Sequence, residues 1–442
     1  MGAIPPLNLC YVAATVRQAG HEVDLIDVQV EEMPFEDLIA RIREYNPDLL
    51  GFTITTYLFH PVLEWIKAIK NAIGIPVLAG GFHMCLYPAE TMVHSAIDYG
   101  VIGDRVETIL AFLENFAHIE RYKDIPGLCY RCGDTVTINP RSLNDTTDFR
   151  TIPFPARDLL KNERYGNFIC KRKNFTVMLT GTGCPFQCKY CASTLSHCVM
   201  RSPENVVDEI EECYNKYGIR EIDFYDQSFT IDRKRTLKIC EEIIRRKIKI
   251  IWTIRTRADL IDEELLVVMK AAGMYRVMYG IESGDQRILD RLNKNEDIED
   301  IKRVIYLTKK HKLQMLGFFM LGCPGEDNES LKNTIDFALS MPFDDIQVTR
   351  FTLFPGTAFY NEYRERTGAA DYWADYVLDR KNVKRLPLFD TSFPPEDMER
   401  EVKRLYLRFY LRPKIILRKV FSHNIITSFT RYGKALCDMV IN

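Results

Sequence analysis

Short, nearly continuous apolar runs alternate along most of the chain with longer segments whose apolar positions recur at helical spacing. That alternation is the signature of buried parallel strands joined by amphipathic helices. In the first hundred residues HEVDLIDV, PDLLGFTIT and IPVLAGG read as strands, with FEDLIARIREY and VLEWIKAIKNA as the helices between them. The pattern predicts an open parallel α/β sheet. Residues 124–140, IPGLCYRCGDTVTINPR, read as a hairpin turning at Gly133-Asp134, and the Pro-rich TIPFPARD after it reads as a junction between domains.

A second series opens at Phe175. TVMLTG, EIDFYD, IIWTIRT, YRVMYGIES, QMLGFFMLG and DIQVTRFTLF read as six strands, each followed by a helix or a loop of functional character. Six units make an incomplete (β/α) barrel with a lateral mouth that admits a bulky substrate. The expected division is an α/β domain over 1–120, a hairpin and linker over 121–165, a partial barrel over 166–370 and a helical region over 371–442.

Composition narrows the class. With 46% hydrophobic and 27% charged residues the chain folds in water, and a net charge of -2 gives no general bias toward nucleic acid. No apolar run reaches the ~18 to 20 residues that cross a bilayer, and the N-terminus lacks a leader pattern, so a cytoplasmic protein is expected. The 13 cysteines are odd in number and spread along the chain. They suit a reducing compartment with a few liganding thiols better than a disulfide framework. Cys213 and Cys240, inside helical patterns, read as buried apolar residues. The stretch EREVKRLYLRFYLRPKIILRKVF interleaves basic and aromatic residues at helical spacing. Its first reading is a C-terminal helix with snorkelling lysines and arginines beside the barrel, the alternatives being a membrane surface or nucleic acid.

The segment GTGCPFQCKYCAS follows directly on the first barrel strand, which puts Cys184, Cys188 and Cys191 at the C-terminal mouth where such barrels place their chemistry. Three soft thiolates suit an iron-sulfur cluster or zinc. Zinc requires a fourth protein ligand, for which His197 and Cys198 are candidates. A cubane cluster with three ligands instead keeps one iron open. This CxxxCxxC, with Tyr190 ahead of its last cysteine and a six-unit βα series around it, resembles the radical S-adenosylmethionine superfamily. The resemblance implies a 4Fe-4S cluster on Cys184, Cys188 and Cys191, S-adenosylmethionine chelated at the open iron, an external electron donor of flavodoxin or ferredoxin type, and reductive cleavage to a 5′-deoxyadenosyl radical.

It also implies cosubstrate contacts at later strand ends. Asp226, with Gln227 beside it, falls where the methionyl amino group is met, and Arg257 or Arg255 where the carboxylate is met. Glu282 and Ser283 match the ribose and methionine contacts, with Lys294 closing that motif. Gly322 and Gly325 read as tight turns, and Pro355, Gly356 and Thr357 as part of the rim.

IPPLNLCYVAATVRQAGHEVDLID, DLLGFTITTY, VLAGGFHMCLYP and DYGVIGDRVETI resemble the cobalamin-binding domain that precedes such a barrel in one large subfamily. The resemblance implies that Thr53, Thr55 and the Gly80-Gly81 turn, at the carboxyl ends of their strands, meet the corrinoid's nucleotide tail. Three departures stand out. No Asp-x-His-x-x-Gly occurs, the usual acidic run reads Gly103-Asp104-Arg105-Val106-Glu107, and the full apolar strand ahead of Pro5-Pro6 is missing, which reads as a truncation relative to the family pattern and a gap in the sheet. Cys129 and Cys132 form a CxxC with no further pair to complete a site.

The leading functional expectation is a cobalamin-dependent radical methyltransferase acting on an unactivated carbon of a small-molecule or lipid-like substrate, with no nucleic-acid partner. Behind it stand an oxidative cyclase or rearrangement enzyme for a tetrapyrrole or isoprenoid, and a non-catalytic corrinoid-binding or sensor protein.

Overall fold

The computed structural model describes residues 3–103, 106–141, 148–166, 169–195, 198–391 and 393–422. His197, Asp104, Arg105 and Cys437 lie outside them. The first sheet holds β1 (Leu50–Thr53), β2 (Val77–Gly80), β3 (Tyr99–Val101), β4 (Leu128–Cys132) and β5 (Thr135–Ile138), in that spatial order. The first three are parallel, and β4 and β5 run antiparallel. The hairpin expected at 124–140 therefore exists, and it extends the first sheet by pairing with β3.

The strand expected at 23–28 does not form, and no part of it pairs with β1. Its side chains hold it as an extended loop. Leu25 is buried with Cys10, Ala13 and Ala14 of the helix Leu7–Gln18, Asp24 accepts from Arg41 at 2.9 Å, and Asp27 accepts from Tyr165 Oη at 3.0 Å. An apolar pattern can satisfy burial in this way, whereas a strand also requires a neighbouring ladder for its backbone.

The second sheet is built by β6 (Phe175–Met178), β9 (Glu221–Phe224), β10 (Ile251–Thr256), β11 (Met274–Glu282), β12 (Gln314–Leu321) and β13 (Asp345–Arg350), with a two-stranded ribbon of β7 (Gly181–Thr182) and β8 (Val199–Met200) between the first two. All six long strands are parallel and neighbours in chain order, as the six-unit reading predicts. Each intervening helix is started by a side chain that accepts from a first-turn amide: Ser202, Asp232, Asp262, Asp285, Asp297 and Asp327. Such caps satisfy amides that a helix leaves unpaired, and each contributes about 1 kcal/mol.

Two features join the halves. The carboxylate of Glu209 is fully buried between Arg157, from the linker, at 2.7 Å, and Arg201, which follows β8. The helix Tyr372–Leu378 docks on the first domain, where His60 and His94 contact the Tyr376 and Val377 carbonyls and Tyr87 donates to Asp371 at 3.0 Å. A partial barrel also leaves a free edge at β13. The helix Pro395–Tyr410 covers it: Tyr406 Oη accepts from Val348 N at 2.8 Å and donates to Val348 O at 3.2 Å, while Tyr410 Oη bonds Ile346 in the same way at 3.4 and 3.2 Å. Two hydroxyls at helical i,i+4 spacing thus stand in for a missing neighbour strand, and an unpaired edge invites association. Tyr406→Phe removes both partners of Val348. Amide hydrogen exchange over 345–350 is expected to speed up, with a loss of about 1 to 2 kcal/mol in stability; unchanged protection there would show that the hydroxyl caps nothing.

Candidate active site

The cysteine loop leaves β6 and is pinched at its base by the β7–β8 ribbon, where Gly181 pairs with Met200 and Thr182 with Val199. Its centre is gripped by residues far along the chain. Lys189 N donates to Leu292 O at 3.0 Å, Lys189 O accepts from Phe359 N at 3.0 Å, and Asn293 Nδ2 donates to Gln187 O at 2.6 Å. Lys189 Nζ also meets Glu362 at 3.3 Å. Phe359 and Glu362 lie on the helix Ala358–Thr367, which Thr357 caps by accepting from Tyr360 N. Thr357 therefore shapes the rim by starting the helix that holds the loop.

Cys184, Cys188 and Cys191 all line one cavity of about 340 Å³ at the C-terminal ends of β9 to β13, together with Phe186, Tyr190, Gln227, Arg255, Arg257, Glu282 and Lys294. Burial pushes the Cys184 and Cys188 thiols up, and at Cys188 the cations Lys294 and Arg257 pull the other way. Arg257 lies over the Phe186 ring at 4.0 Å, with Nη1 3.9 Å from Cys188 Sγ. The thiols share a cavity but are not closed up to metal-holding geometry among the described residues.

Glu282 ends β11 at a register shift after Gly280 and has φ of 68°, a left-handed conformation that is uncommon outside glycine. The irregularity aims its carboxylate into the cavity, where it accepts from Tyr190 Oη. Lys294 Nζ lies 3.9 Å from Glu282 and 2.8 Å from Glu296, whose other oxygen accepts from Ala258 N at 2.8 Å and Asp259 N at 3.2 Å. Arg257 donates to Lys294 O at 2.6 Å and to Asp259 at 2.9 Å. Burial alone would lower the Lys294 ammonium, but Glu282 and Glu296 outweigh it and hold it above its ordinary value. Burial raises Glu282, against the pull of Lys294.

Other sequence-derived candidates point elsewhere. Asp226 is buried and both its oxygens are taken by Thr180, Oδ1 by the backbone N at 2.6 Å and Oδ2 by the hydroxyl, so it anchors the start of the cysteine loop, while Gln227 and Ser228 line the cavity. Ser283, just past the end of β11, is turned from the cavity and bonds Thr334 at 2.8 Å. Arg255 lines the cavity but is held by Asp223 at 3.0 Å and lies 3.7 Å over Tyr225. Sequence reasoning missed Phe318, Met320, Gln347 and Thr349 on the cavity wall, which carry no motif, and the Lys189 clamp, which depends on residues far apart in the chain.

In the first domain Thr53 accepts from Asn8 Nδ2 at 2.9 Å and Thr55 is exposed. Gly81 has φ of 94°, and a Cβ there would sit 2.7 Å from Ile54 O, so the Gly80-Gly81 turn packs on its own neighbour strand end. Tyr57, 63% exposed, Leu58 and Phe82 ring these positions with apolar surface. Both nitrogens of buried His83 are engaged, by Thr56 at 3.0 Å and Thr91 at 2.8 Å, and burial and His94 lower its pKa to about 4, so the ring stays neutral and structural. Cys129 is buried and Cys132 exposed; three residues apart on one strand they point to opposite faces and cannot share a metal.

With this geometry in hand, residues 178–338 match the family model of the radical SAM superfamily and residues 2–113 that of the B12 binding domain. An uncharacterized methyltransferase of Pyrococcus horikoshii is 32% identical over 431 residues, spanning 95% of this chain and 91% of that one. The chain belongs to the radical S-adenosylmethionine superfamily. Within it, the anaerobic magnesium-protoporphyrin IX monomethyl ester cyclase of Cereibacter sphaeroides is 26% identical, covering 93% of this chain and 68% of its own. The structure of TsrM from Kitasatospora setae with cobalamin and a [4Fe-4S] cluster has the same fold, with a TM-score of 0.73 at 19% identity over 93% of this chain and 87% of that one.

For this radical SAM chain the donor set fits the cluster: three soft thiols face one cavity, and no fourth cysteine or histidine is among the described residues lining it. Tyr57, Leu58 and Phe82, which follow the ends of β1 and β2 in the chain, are exposed apolar side chains that an apolar ligand face could cover.

Gly322 and Gly325 have φ of 80° and 84°, the tight turns expected, and frame Glu326, which accepts from Gly322 N and keeps Oε1 buried without a hydrogen bond. Burial raises its pKa from 4.5 to about 7. A carboxyl raised on folding contributes stability below its unfolded pKa and loses it as pH rises through the folded one. Stability from this group is thus expected to fall by about 2 to 3 kcal/mol between pH 4.5 and 8. Denaturant melts of Glu326→Gln should gain on the parent across that window; parallel pH profiles would contradict the assignment.

Proposed function

We propose that the chain is a cobalamin-dependent radical S-adenosylmethionine methyltransferase that methylates an unactivated carbon of a small-molecule or lipid-like substrate. The observation that carries the reading is one cavity lined by Cys184, Cys188, Cys191, Arg257, Glu282 and Lys294, in a chain that also matches the B12 binding domain. When bound, the cluster supplies one-electron reduction of S-adenosylmethionine and the corrinoid supplies the methyl group.

The residues of the chain bind and orient. Cys184, Cys188 and Cys191 hold the cluster, and Lys294 and Arg257 oppose the negative charge that metal-bound thiolates bring into a buried site. Glu282, fixed by Tyr190 and Lys294, presents an acceptor to a polar group of the cosubstrate, and Gln227 offers an amide at the end of β9. Asp226 and Ser283 position: the first ties the loop to β6, the second ties the end of β11 to the helix Asn328–Ser340. Phe318 and Met320 exclude water, while Gln347 and Thr349 face the substrate side. Thr53, Thr55, Gly80 and Gly81 border the corrinoid. A flavodoxin- or ferredoxin-type donor and a cytoplasmic location belong to the same reading; no helix of the described residues is long and apolar enough to cross a membrane.

The protein, reconstituted anaerobically with iron, sulfide and cobalamin and then reduced, is expected to release 5′-deoxyadenosine and to pass label from methyl-labelled S-adenosylmethionine to the corrinoid. Cys188→Ala should abolish the first product. Nucleoside without methyl transfer would favour a cyclase or rearrangement, and absence of both would remove the enzyme reading.

A further inference from the structure

The helical C-terminus has two unlike faces. The helix Pro395–Tyr410 turns Met398, Leu405 and Phe409 into the barrel core, and the helix Pro413–Ser422 turns Ile415 the same way. On the outside lie Lys403, Arg408, Leu411, Lys414, Ile416 and Leu417. The three aliphatic members are large and uncovered, with Leu411 and Leu417 each 55% exposed and Ile416 44%. Arg404, Arg408 and Leu411 follow at spacings of four and three, one ridge of a helix. Between Glu401 and Asp438 the sequence has nine lysines and arginines and no aspartate or glutamate, in a chain of net charge -2. Like charge is concentrated here; Arg404 pairs with Glu401, and the remaining cations outnumber the acids near them in sequence.

We infer that this face docks on an anionic lipid bilayer. Aliphatic side chains set among cations are what an interfacial helix needs: the apolar groups enter the acyl boundary and the cations meet headgroup phosphates. A nucleic acid would meet the cations but gives Leu411, Ile416 and Leu417 nothing to bury against. Residues 423–442 carry Arg431 and Lys434 against the single Asp438, so their side chains bring no net negative charge to the patch. The docked face also lies next to the site: the same helix caps β13, whose Gln347 and Thr349 line the cavity. An apolar substrate would then reach the mouth from the bilayer, with diffusion confined to its surface. The inference goes beyond the proposed reaction and does not depend on it.

The test is co-sedimentation of the full chain with vesicles of phosphatidylcholine alone or with about one-third phosphatidylglycerol. Binding is expected only to the anionic vesicles, and to weaken with salt. Replacing Lys403, Arg408 and Lys414 by glutamine should lower partitioning about fivefold per residue, about a hundredfold together. Ile416→Glu with Leu417→Glu should abolish it while circular dichroism and thermal melting stay as in the parent, since both residues are exposed. No binding to anionic vesicles, or equal binding by both variants, overturns the inference. So does duplex RNA binding that the charge variant loses, the Ile416→Glu/Leu417→Glu variant keeps and vesicles do not share.

Discussion

The site rests on a buried charge balance beneath the cysteine loop. Lys294 and Arg257 stand against Glu282, Glu296 and Asp259, with Lys294 only 2% exposed and Glu296 1%. Taking such groups from water costs several kcal/mol per ion, and removing one partner of a buried pair commonly costs about 3 to 5 kcal/mol because the other is stranded. The groups are therefore tied to one arrangement. Glu296 also holds the amides of Ala258 and Asp259, and Arg257 holds the carbonyl of Lys294, so the segment after β10 is fixed to the segment after the helix Gln286–Arg291 by the same set that faces the thiols. Three thiolates arriving in that environment meet cations already in place.

The rest of the chain supports this arrangement. The cysteine loop is too irregular to fix itself, and its backbone partners come from Leu292 and from the helix Ala358–Thr367. The next helix, Tyr372–Leu378, carries Trp373 and Val377, which share a core with Phe359 and with Phe59 and Met84 of the first domain. The first domain is thereby coupled through packed side chains to the helix that grips the cysteine loop. The barrel keeps its lateral mouth because Tyr406 and Tyr410 satisfy the edge of β13 without adding a strand.

Much of this was legible in the sequence. All six barrel strands, the hairpin and the three cysteines stand where the patterns put them, because buried parallel strands are continuous apolar runs and the motif is contiguous. Glu282 was legible as a carboxylate ending an apolar strand. What escaped is non-local. Residues 23–28 have a strand's composition but no ladder to join. Asp226 was expected to meet the cosubstrate, yet its partner Thr180 is 46 residues away and takes both oxygens. Ser283 was grouped with Glu282, yet it lies past the end of β11 and its hydroxyl is held by Thr334, 51 residues away. Cavity-wall residues such as Phe318 and Gln347 are set by pairing between strands, which no single segment encodes.

Everything proposed for this site depends on Cys184, Cys188 and Cys191 holding a cluster with one iron left for S-adenosylmethionine. Mössbauer spectroscopy of the anaerobically purified protein, with and without S-adenosylmethionine, tests it most directly. The expected result is a 4Fe-4S spectrum in which one iron site shifts when the cosubstrate is added. A bound zinc completed by His197 or Cys198, with no iron signal and no response to S-adenosylmethionine, would contradict it.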